Sequence, residues 1–473
     1  MSTRPVSVRP MSIRPVSVAA RLLAAAVVLL LAAAPRSATA FPAGESAALP
    51  AGSELGEDAL ARPRELFHSE LMGGRKSPLV NLGDLAFNSP SILGGLARRA
   101  GMSCATCHVN GAGNPRLYIP GLSARPGTFD TTGLLFNPKT FNSQLDPVRI
   151  PSLRGARFLA PYGHDGRFTS LRDFVHNVVV NEFAGPEPSP AVLDGLVAYI
   201  MDIDFLPNPR VGRGGLLEAS ASEAERRGEA LFFKPFRLQP TLSCAGCHVP
   251  SAAFVDHLQH DVGSGGLVKT PTLLNANFNG PYFHDGRYDG YDQVVDHFDG
   301  MFDLGLTATD KQDLVAYLTA VGDGERAVER DGVALRMKEI REFASVLELA
   351  IPSNDTAIVS MVVTGVGAEL RELAEHIPDR RNTAVTGGEE ERRAARAAVK
   401  DLVLRLRRIE LAVAGGRSDE AVTEYASFAQ LATFDVPQTL KTAEPWTLFD
   451  PGVHDAHYRA LGQMLQSAAK SLH

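Results

Sequence analysis

Apolar residues recur at helical spacing through the last third of the chain. This periodicity predicts helices over residues 333–349, 357–373, 394–413 and 419–431. Glycine pairs at 387–388 and 415–416 punctuate the pattern. Because these stretches carry no cofactor-ligand motif, we interpret residues 324–473 as a C-terminal helical region whose default role is packing or docking.

The same periodicity predicts helices in two earlier segments. Leu-Val-Ala-Tyr occurs at residues 196–199 and again at 314–317, each time within a helical pattern. Ser220-x-x-Glu223 is a capping box that predicts a further helix over residues 221–233. Between these segments, the proline- and glycine-rich residues 204–215 indicate a linker.

The N-terminus has the order of a secretory signal peptide. A lead with four arginines precedes an apolar run over residues 22–34, and the small residues Ala38-Thr39-Ala40 follow. The run is short for a transmembrane helix, although an uncleaved anchor is the alternative. We predict a signal peptide over residues 1–40 and no membrane span after its cleavage.

All four cysteines lie in two copies of Cys-x-x-Cys-His, a motif typical of covalent c-type haem attachment. One structural zinc or disulfides are the alternatives. Zinc is disfavoured because Cys107 and Cys244 lie much further apart in the chain than the pairs of a zinc motif, and because a four-thiolate site needs no adjacent histidine. We therefore predict two covalently bound haem c groups, attached to Cys104, Cys107, Cys244 and Cys247, with iron ligated by His108 and His248.

Each cysteine motif is followed by the same series of motifs, which indicates an internal duplication. The shared motifs are Pro-x-Leu (151–153 and 271–273), Pro-Tyr-x-His-Asp-Gly-Arg (161–167 and 281–287) and Leu-Val-Ala-Tyr (196–199 and 314–317). The first copy is longer by about 20 residues between its two motif histidines, within the Gly/Pro-rich residues 118–137. A long loop beside a haem is where substrate access is controlled.

Composition narrows the class of function. A net charge of −7 over 473 residues argues against nucleic-acid binding. Two haems make redox chemistry the leading hypothesis, because the cofactor performs the difficult step. Export agrees with haem attachment, which in bacteria occurs outside the cytoplasm, so we predict a periplasmic protein.

The tandem motifs resemble those of the bacterial di-haem cytochrome c peroxidase and MauG superfamily, over roughly residues 66–321. The resemblance implies a mainly α fold, with two tandem cytochrome c-type haem domains at 41–206 and 216–322 before the C-terminal helical region. It also implies that one haem has an open position where hydrogen peroxide reacts, while the other is six-coordinate and passes electrons to it. Family peroxidases often bind calcium between the domains, but no loop here has a spacing that indicates it.

The resemblance suggests roles for the two His-Asp-Gly-Arg loops. In the family this loop lies near a haem, so His164 and Arg167, like His284 and Arg287, would contact haem, with the arginines pairing with propionates. The alternative is a tight Asp-Gly turn without a ligand.

The sixth ligand of the second haem departs from the family pattern. Family peroxidases often place a methionine on the helix that follows the loop, at the position that Phe298 occupies here. We expect His297 as the ligand, with Met301 one turn on as the alternative. The other interpretation also stays open: His297 would be an ordinary core or surface histidine whose hydrogen bonds are satisfied within the protein, and not an iron ligand.

The family's acidic catalytic segment also has a counterpart here. Glu182, which follows the His164 loop in the first copy, is a candidate general acid/base, although its segment lacks the family's proline and methionine. The alternative is an exposed carboxylate at a helix end. His176 is a candidate for a removable distal ligand on the first haem.

The sequence thus predicts a periplasmic peroxidase that reduces hydrogen peroxide to water. A small cytochrome or cupredoxin would deliver electrons to the second haem, which would pass them to the first. Two alternatives stay open: MauG-like or oxygenase-like oxidation of a protein or organic substrate, and a non-catalytic di-haem electron-transfer cytochrome.

Overall fold

The computed structural model describes residues 49–56, 64–134, 136–137, 139–325, 332–379 and 385–471. The predicted signal peptide over residues 1–40 lies outside this part of the chain. Within it the protein is mainly helical, with two short antiparallel ladders, so the mainly α fold class is confirmed. No described helix is both long enough and apolar enough to cross a membrane.

The first copy of the repeat is built from short helices around one ladder. Its helices are α1 (His68–Leu71), α2 (Pro78–Phe87), α3 (Gly95–Arg99), α4 (Cys104–Cys107), α5 (Leu171–Asn177) and α6 (Pro190–Asp202). A π-helical turn, Val178–Glu182, continues α5. Strands β1 (Thr128–Phe129) and β2 (Val148–Arg149) pair with Thr128 opposite Arg149.

The second copy repeats this order. Its helices are α7 (Glu223–Phe233), α8 (Cys244–Cys247), α9 (Tyr291–Phe302) and α10 (Ala308–Val321). Strands β3 (Gln259–His260) and β4 (Val268–Lys269) pair with Gln259 opposite Lys269. The predicted Leu-Val-Ala-Tyr helices are confirmed as α6 and α10.

Helix α7 begins later than the sequence predicts. Its N-cap is Ser222 and not Ser220: the Ser222 hydroxyl accepts a hydrogen bond from the Glu225 amide at 3.3 Å, and the Glu225 carboxylate accepts one from the Ser222 amide at 2.8 Å. Two overlapping Ser-x-x-Glu patterns compete here. In the structure the later one forms the cap, and its Glu225 also forms an ion pair with Arg210.

Three of the helical stretches predicted in the C-terminal region are confirmed, and the fourth, over residues 333–349, is divided into two helices by a turn at residues 345–346. This region forms α11 (Val333–Ala344), α12 (Leu347–Ala350), α13 (Thr356–Glu375), α14 (Glu389–Ala414), α15 (Ser418–Thr433), α16 (Asp435–Ala443) and α17 (Pro451–Ser471). Buried apolar residues of α11 and α13 to α16 belong to the same hydrophobic core as those of α2 and α6. The second copy has a separate core around Phe232, Phe254 and Tyr317.

A buried ion cluster lies where α11 meets the first copy. Lys76 lies 2.9 Å from Asp84 on α2 and 3.1 Å from Glu342 on α11, and its side chain is only 7% exposed. Burial alone would lower the pKa of Lys76, but the charges of Asp84 and Glu342 outweigh it and raise the pKa. The lysine therefore stays charged and joins the two regions.

Each copy brings its first long helix and its closing helix into backbone contact at a glycine. A Cβ atom at Gly83 would collide with the Gly195 carbonyl of α6, and one at Gly228 would collide with the Asp313 carbonyl of α10. Absence of a side chain at these positions therefore sets the helix separation in both copies.

We expect Gly228→Ala to lower the free energy of unfolding by about 1–3 kcal/mol, because α7 and α10 would have to separate. Gly300→Ala on α9 is the matched control, since a Cβ there meets no atom within 4 Å. That change should be neutral or stabilising by about 0.5–1 kcal/mol, because alanine restricts the unfolded chain. Denaturant titration of both variants measures the difference; equal effects would contradict the steric assignment.

Lys76→Met should destabilise the protein by about 3–5 kcal/mol, because it removes the counter-charge of buried Asp84 and leaves Glu342 with Lys338 alone, at 3.8 Å. Arg172→Met, which removes a 47% exposed arginine paired with the exposed Asp194, should cost about 1 kcal/mol or less. Thermal and denaturant midpoints give the comparison. Similar losses in both variants would show that the Lys76 cluster is not what joins α11 to the first copy.

Candidate haem-binding sites

The two Cys-x-x-Cys-His motifs fold into equivalent one-turn helices. In α4 and α8 the histidine amide closes the turn, donating to the Cys104 carbonyl at 2.9 Å in the first copy and to the Cys244 carbonyl at 2.8 Å in the second. Each histidine thus follows directly on its helix, beside the two thiols. None of the four cysteines is in a disulfide.

The ring of each motif histidine is oriented by a main-chain carbonyl. Nδ1–H of His108 donates to the Pro151 carbonyl at 3.0 Å, and Nδ1–H of His248 donates to the Phe254 carbonyl at 3.2 Å. Burial lowers the pKa of His108 to about 4 and also lowers that of His248, so both rings are neutral. A neutral ring protonated at Nδ1 presents the Nε2 lone pair, as an iron ligand must.

The sites therefore fit a covalently attached haem. Among the described residues, no hydrogen bond is found to Nε2 of either histidine. Burial raises the pKa of Cys104 and Cys107 to about 12 and that of Cys244 to about 11. The protein environment thus keeps these side chains as neutral thiols.

A single four-thiolate zinc site finds no support in the described part of the chain. There, the group of close metal-type donors is Cys247, Asp256 and His260, whose ligand atoms lie within 4.8 Å of one another. His260 already forms an ion pair with Asp256 at 2.7 Å. The four cysteines do not come together in one group.

An aromatic pair frames each motif histidine. The Phe87 ring lies 5.0 Å from Tyr199 and 6.3 Å from His108; the Phe232 ring lies 4.9 Å from Tyr317 and 6.4 Å from His248. We did not predict these phenylalanines. The signal was present in the sequence as Gly-x-x-x-Phe, which occurs at residues 83–87 and 228–232.

The two copies exchange main-chain hydrogen bonds at equivalent positions. The Arg149 amide of β2 donates to the His284 carbonyl at 2.7 Å, and the Lys269 amide of β4 donates to the His164 carbonyl at 2.9 Å. The ladder of each copy is thus hydrogen-bonded to the His-Asp-Gly-Arg loop of the other copy. This crossed pairing fixes both loops relative to both cysteine motifs.

Two of the predicted catalytic residues lie together. Arg167 lies 2.6 Å from Glu182 and 2.9 Å from Asp165, and the side-chain amide of Asn177 donates a hydrogen bond to the Glu182 carboxylate at 3.0 Å. The π-helical turn aims the Glu182 carboxylate at this arginine. His164 points elsewhere, since its Nε2–H donates to the Arg149 carbonyl at 2.7 Å. Burial, and next the nearby Arg149 charge, lower the pKa of His164 to about 3.

The predicted residues of the second copy are more dispersed. Arg287 pairs with Asp285 at 2.6 Å, and Nδ1 of the adjacent His284 is buried without a partner among the described residues. His297 donates from Nε2–H to the Val262 carbonyl at 2.8 Å and accepts from the Tyr288 hydroxyl at 2.9 Å. The Met301 side chain is exposed.

His176, the candidate distal ligand in the first copy, lies 2.8 Å from Glu187. In the conformation described, His176 and His297 are therefore both engaged with other groups. Both ring nitrogens of His297 are engaged, so a ligand role for it requires the exchange of one of these hydrogen bonds, whereas His176 is engaged through Nε2.

Comparisons with known proteins agree with the motifs. Residues 222–361 match the family model described as di-haem cytochrome c peroxidase. The chain is 26% identical over 310 residues to the hydrazine synthase subunit gamma of Kuenenia stuttgartiensis, covering 52% of this chain and 78% of that protein. It is also 26% identical over 300 residues to the methylamine utilization protein MauG of Methylorubrum extorquens, covering 50% and 76%.

A shorter similarity, 31% identity over 96 residues, relates the chain to the cytochrome-c peroxidase IdrP2 of Denitromonas iodatirespirans, covering 19% of this chain and 24% of that protein. The resemblance predicted from the motifs is therefore confirmed: residues 222–361 match the model of the di-haem cytochrome c peroxidase family, and the chain is similar in sequence to MauG and to hydrazine synthase subunit gamma.

Proposed function

We propose that the chain is a periplasmic di-haem c-type peroxidase with haem domains at 41–206 and 216–322. Cys104 and Cys107 would hold one haem with His108 as iron ligand, and Cys244 and Cys247 the other with His248. The haems supply the redox chemistry. Overall, hydrogen peroxide takes up two electrons and two protons and yields two molecules of water.

The observation that carries this proposal is the difference between the two copies at one position. Counted from the loop histidine of each copy, His164 or His284, the position of Glu182 in the first copy corresponds to that of Phe302 in the second. The Phe302 ring packs 4.9 Å from that of Phe236. One copy thus places an ionisable group there and the other an apolar ring. This supports proton transfer in the first copy and electron entry through the second.

Glu182 is well placed for a proton shuttle. Arg167, Asn177 and Thr131 hold its carboxylate, and its side chain retains 19% exposure, so protons can exchange with solvent. In the proposed reaction the carboxylate would move a proton between the two peroxide oxygens. Arg167 is a positioning residue that keeps the carboxylate in place.

A second candidate function, MauG-like or oxygenase-like oxidation of an organic or protein substrate, is favoured by a pocket. An open depression with about 710 Å³ of space lies beside the longer loop of the first copy. Its lining includes Asp130, Leu134, Phe141 and Leu145. This volume suits a ligand much larger than peroxide.

The deciding experiment is a peroxide titration of the purified holoprotein, followed by absorption and electron paramagnetic resonance. We expect two covalent haems, of which one is high-spin and reacts with peroxide, together with turnover on a reduced cytochrome or cupredoxin. Reaction with peroxide but poor turnover on such donors would favour the second function. Two low-spin haems that ignore peroxide would overturn both and leave an electron-transfer protein.

Glu182→Gln should lower kcat/KM for peroxide by about 10²–10⁴-fold while the resting haem spectra stay unchanged, because only the proton shuttle is lost. Asp194→Asn, which removes an exposed carboxylate paired with Arg172 in the same copy, is the control and should leave the rate unchanged. A Glu182→Gln variant that reacts at the wild-type rate would remove this residue from the mechanism.

A further inference from the structure

Two cations occupy equivalent positions at the junction of the copies. Arg149 and Lys269 each lie two residues before the proline of a Pro-x-Leu motif. Lys269 Nζ donates to the carbonyls of Leu159 and Pro161 at 2.7 Å, and Arg149 Nη1 donates to the carbonyl of Asn279 at 3.1 Å. Each side chain therefore reaches across to the segment before the other copy's His-Asp-Gly-Arg loop.

Neither cation has an anion beside it. Within the part of the chain that the structure describes, no Asp or Glu pairs with Arg149 or Lys269, and the Arg149 Nε is buried without a hydrogen-bond partner. Burial lowers the pKa of Arg149 to about 10 and that of Lys269 to about 8. Two partly buried charges of one sign are costly unless a counter-charge lies beside them.

The arginines of the two His-Asp-Gly-Arg loops, in contrast, have carboxylates beside them. Arg167 is paired with Asp165 and Glu182, and Arg287 is paired with Asp285. Their charges are therefore already balanced by protein carboxylates. The unbalanced charge of this region is the pair formed by Arg149 and Lys269, with the neutral rings of His164 and His284 close by.

Each cation lies two residues before a proline whose carbonyl faces one of the haem-binding histidines. Pro151 accepts the hydrogen bond that orients His108, and the Pro271 carbonyl faces the His248 ring beside the Phe254 carbonyl that orients it. The carboxylates that a haem would bring to these sites are its propionates. They are anions of the right charge, and bidentate or charge-assisted hydrogen bonds suit them to guanidinium and ammonium groups.

We propose that Arg149 and Lys269 bind haem propionates at the junction of the two copies and thereby raise the reduction potentials of the haems. This inference rests on the proposed function, because it requires both haems to be attached. The two side chains are positioning residues. A positive charge beside a propionate favours the added electron, so its removal lowers the potential.

The test is spectroelectrochemical titration of holoprotein in which Lys269 is changed to Met, Gln or Arg. We expect Lys269→Met and Lys269→Gln to shift the reduction equilibrium of at least one haem tenfold or more, a fall of about 59 mV for one electron. Lys269→Arg should keep the wild-type potential. Lys234→Met, which removes an exposed lysine from the same copy, should not change it.

Arg149→Gln and Arg149→Lys are the equivalent variants in the first copy. We expect Arg149→Gln to lower the reduction potential and Arg149→Lys to keep it at the wild-type value. Resonance Raman bands of propionate bending provide a readout that does not depend on turnover, and should move in the neutral variants only. If Lys269→Met prevents folding, Lys269→Gln, which retains a donor for the two carbonyls, replaces it.

Wild-type potentials and unchanged propionate bands in neutral variants that carry both haems would overturn the inference. Failure of the proposed function is distinguished beforehand, because a wild-type chain without two covalent haems fails the pyridine haemochrome count. A potential that falls equally in Lys269→Arg would also overturn the inference, since the charge would then not be responsible.

Discussion

In each repeat the first long helix and the closing helix meet through their backbones rather than through side chains. Gly83 against α6, and Gly228 against α10, let the first and closing helices of a copy touch. That contact brings Phe87 over Tyr199 and Phe232 over Tyr317, and both phenylalanines beside a motif histidine. The haem sites depend on this separation, because a wider one would remove the aromatic wall from the proximal side of each site.

On this common frame the two copies differ in electrostatics. The first places the Arg167–Glu182 pair at a π-helical turn, where the second places Phe302 among aromatic rings. At the junction, by contrast, the copies are alike, with a basic side chain and a crossed main-chain hydrogen bond from each. The junction is thus alike in the two copies, whereas at the position of Glu182 an ionisable group is present in the first copy and an aromatic ring in the second. The proposed division of work between the two haems depends on this difference.

The sequence was sufficient to predict those features that depend on residues adjacent or near to one another in the chain. Cys-x-x-Cys-His, the tandem order of the motifs and the periodic C-terminal helices were all predicted, since one-turn geometry and helical amphipathicity are local properties. The capping box was misplaced by two residues, because two Ser-x-x-Glu patterns overlap and nothing in the local pattern distinguishes them, whereas in the fold Arg210 pairs with Glu225. The Arg149 and Lys269 pair could not be foreseen, because their partners come from the opposite copy.

The helices after residue 332 share one hydrophobic core with the first copy, whereas the second copy has its own. The core of the second copy therefore needs no residue beyond 321, whereas the core of the first copy is complete only when the C-terminal helices pack on α2. A chain cut after residue 321 would thus keep the second core whole and leave one side of the first core open to water.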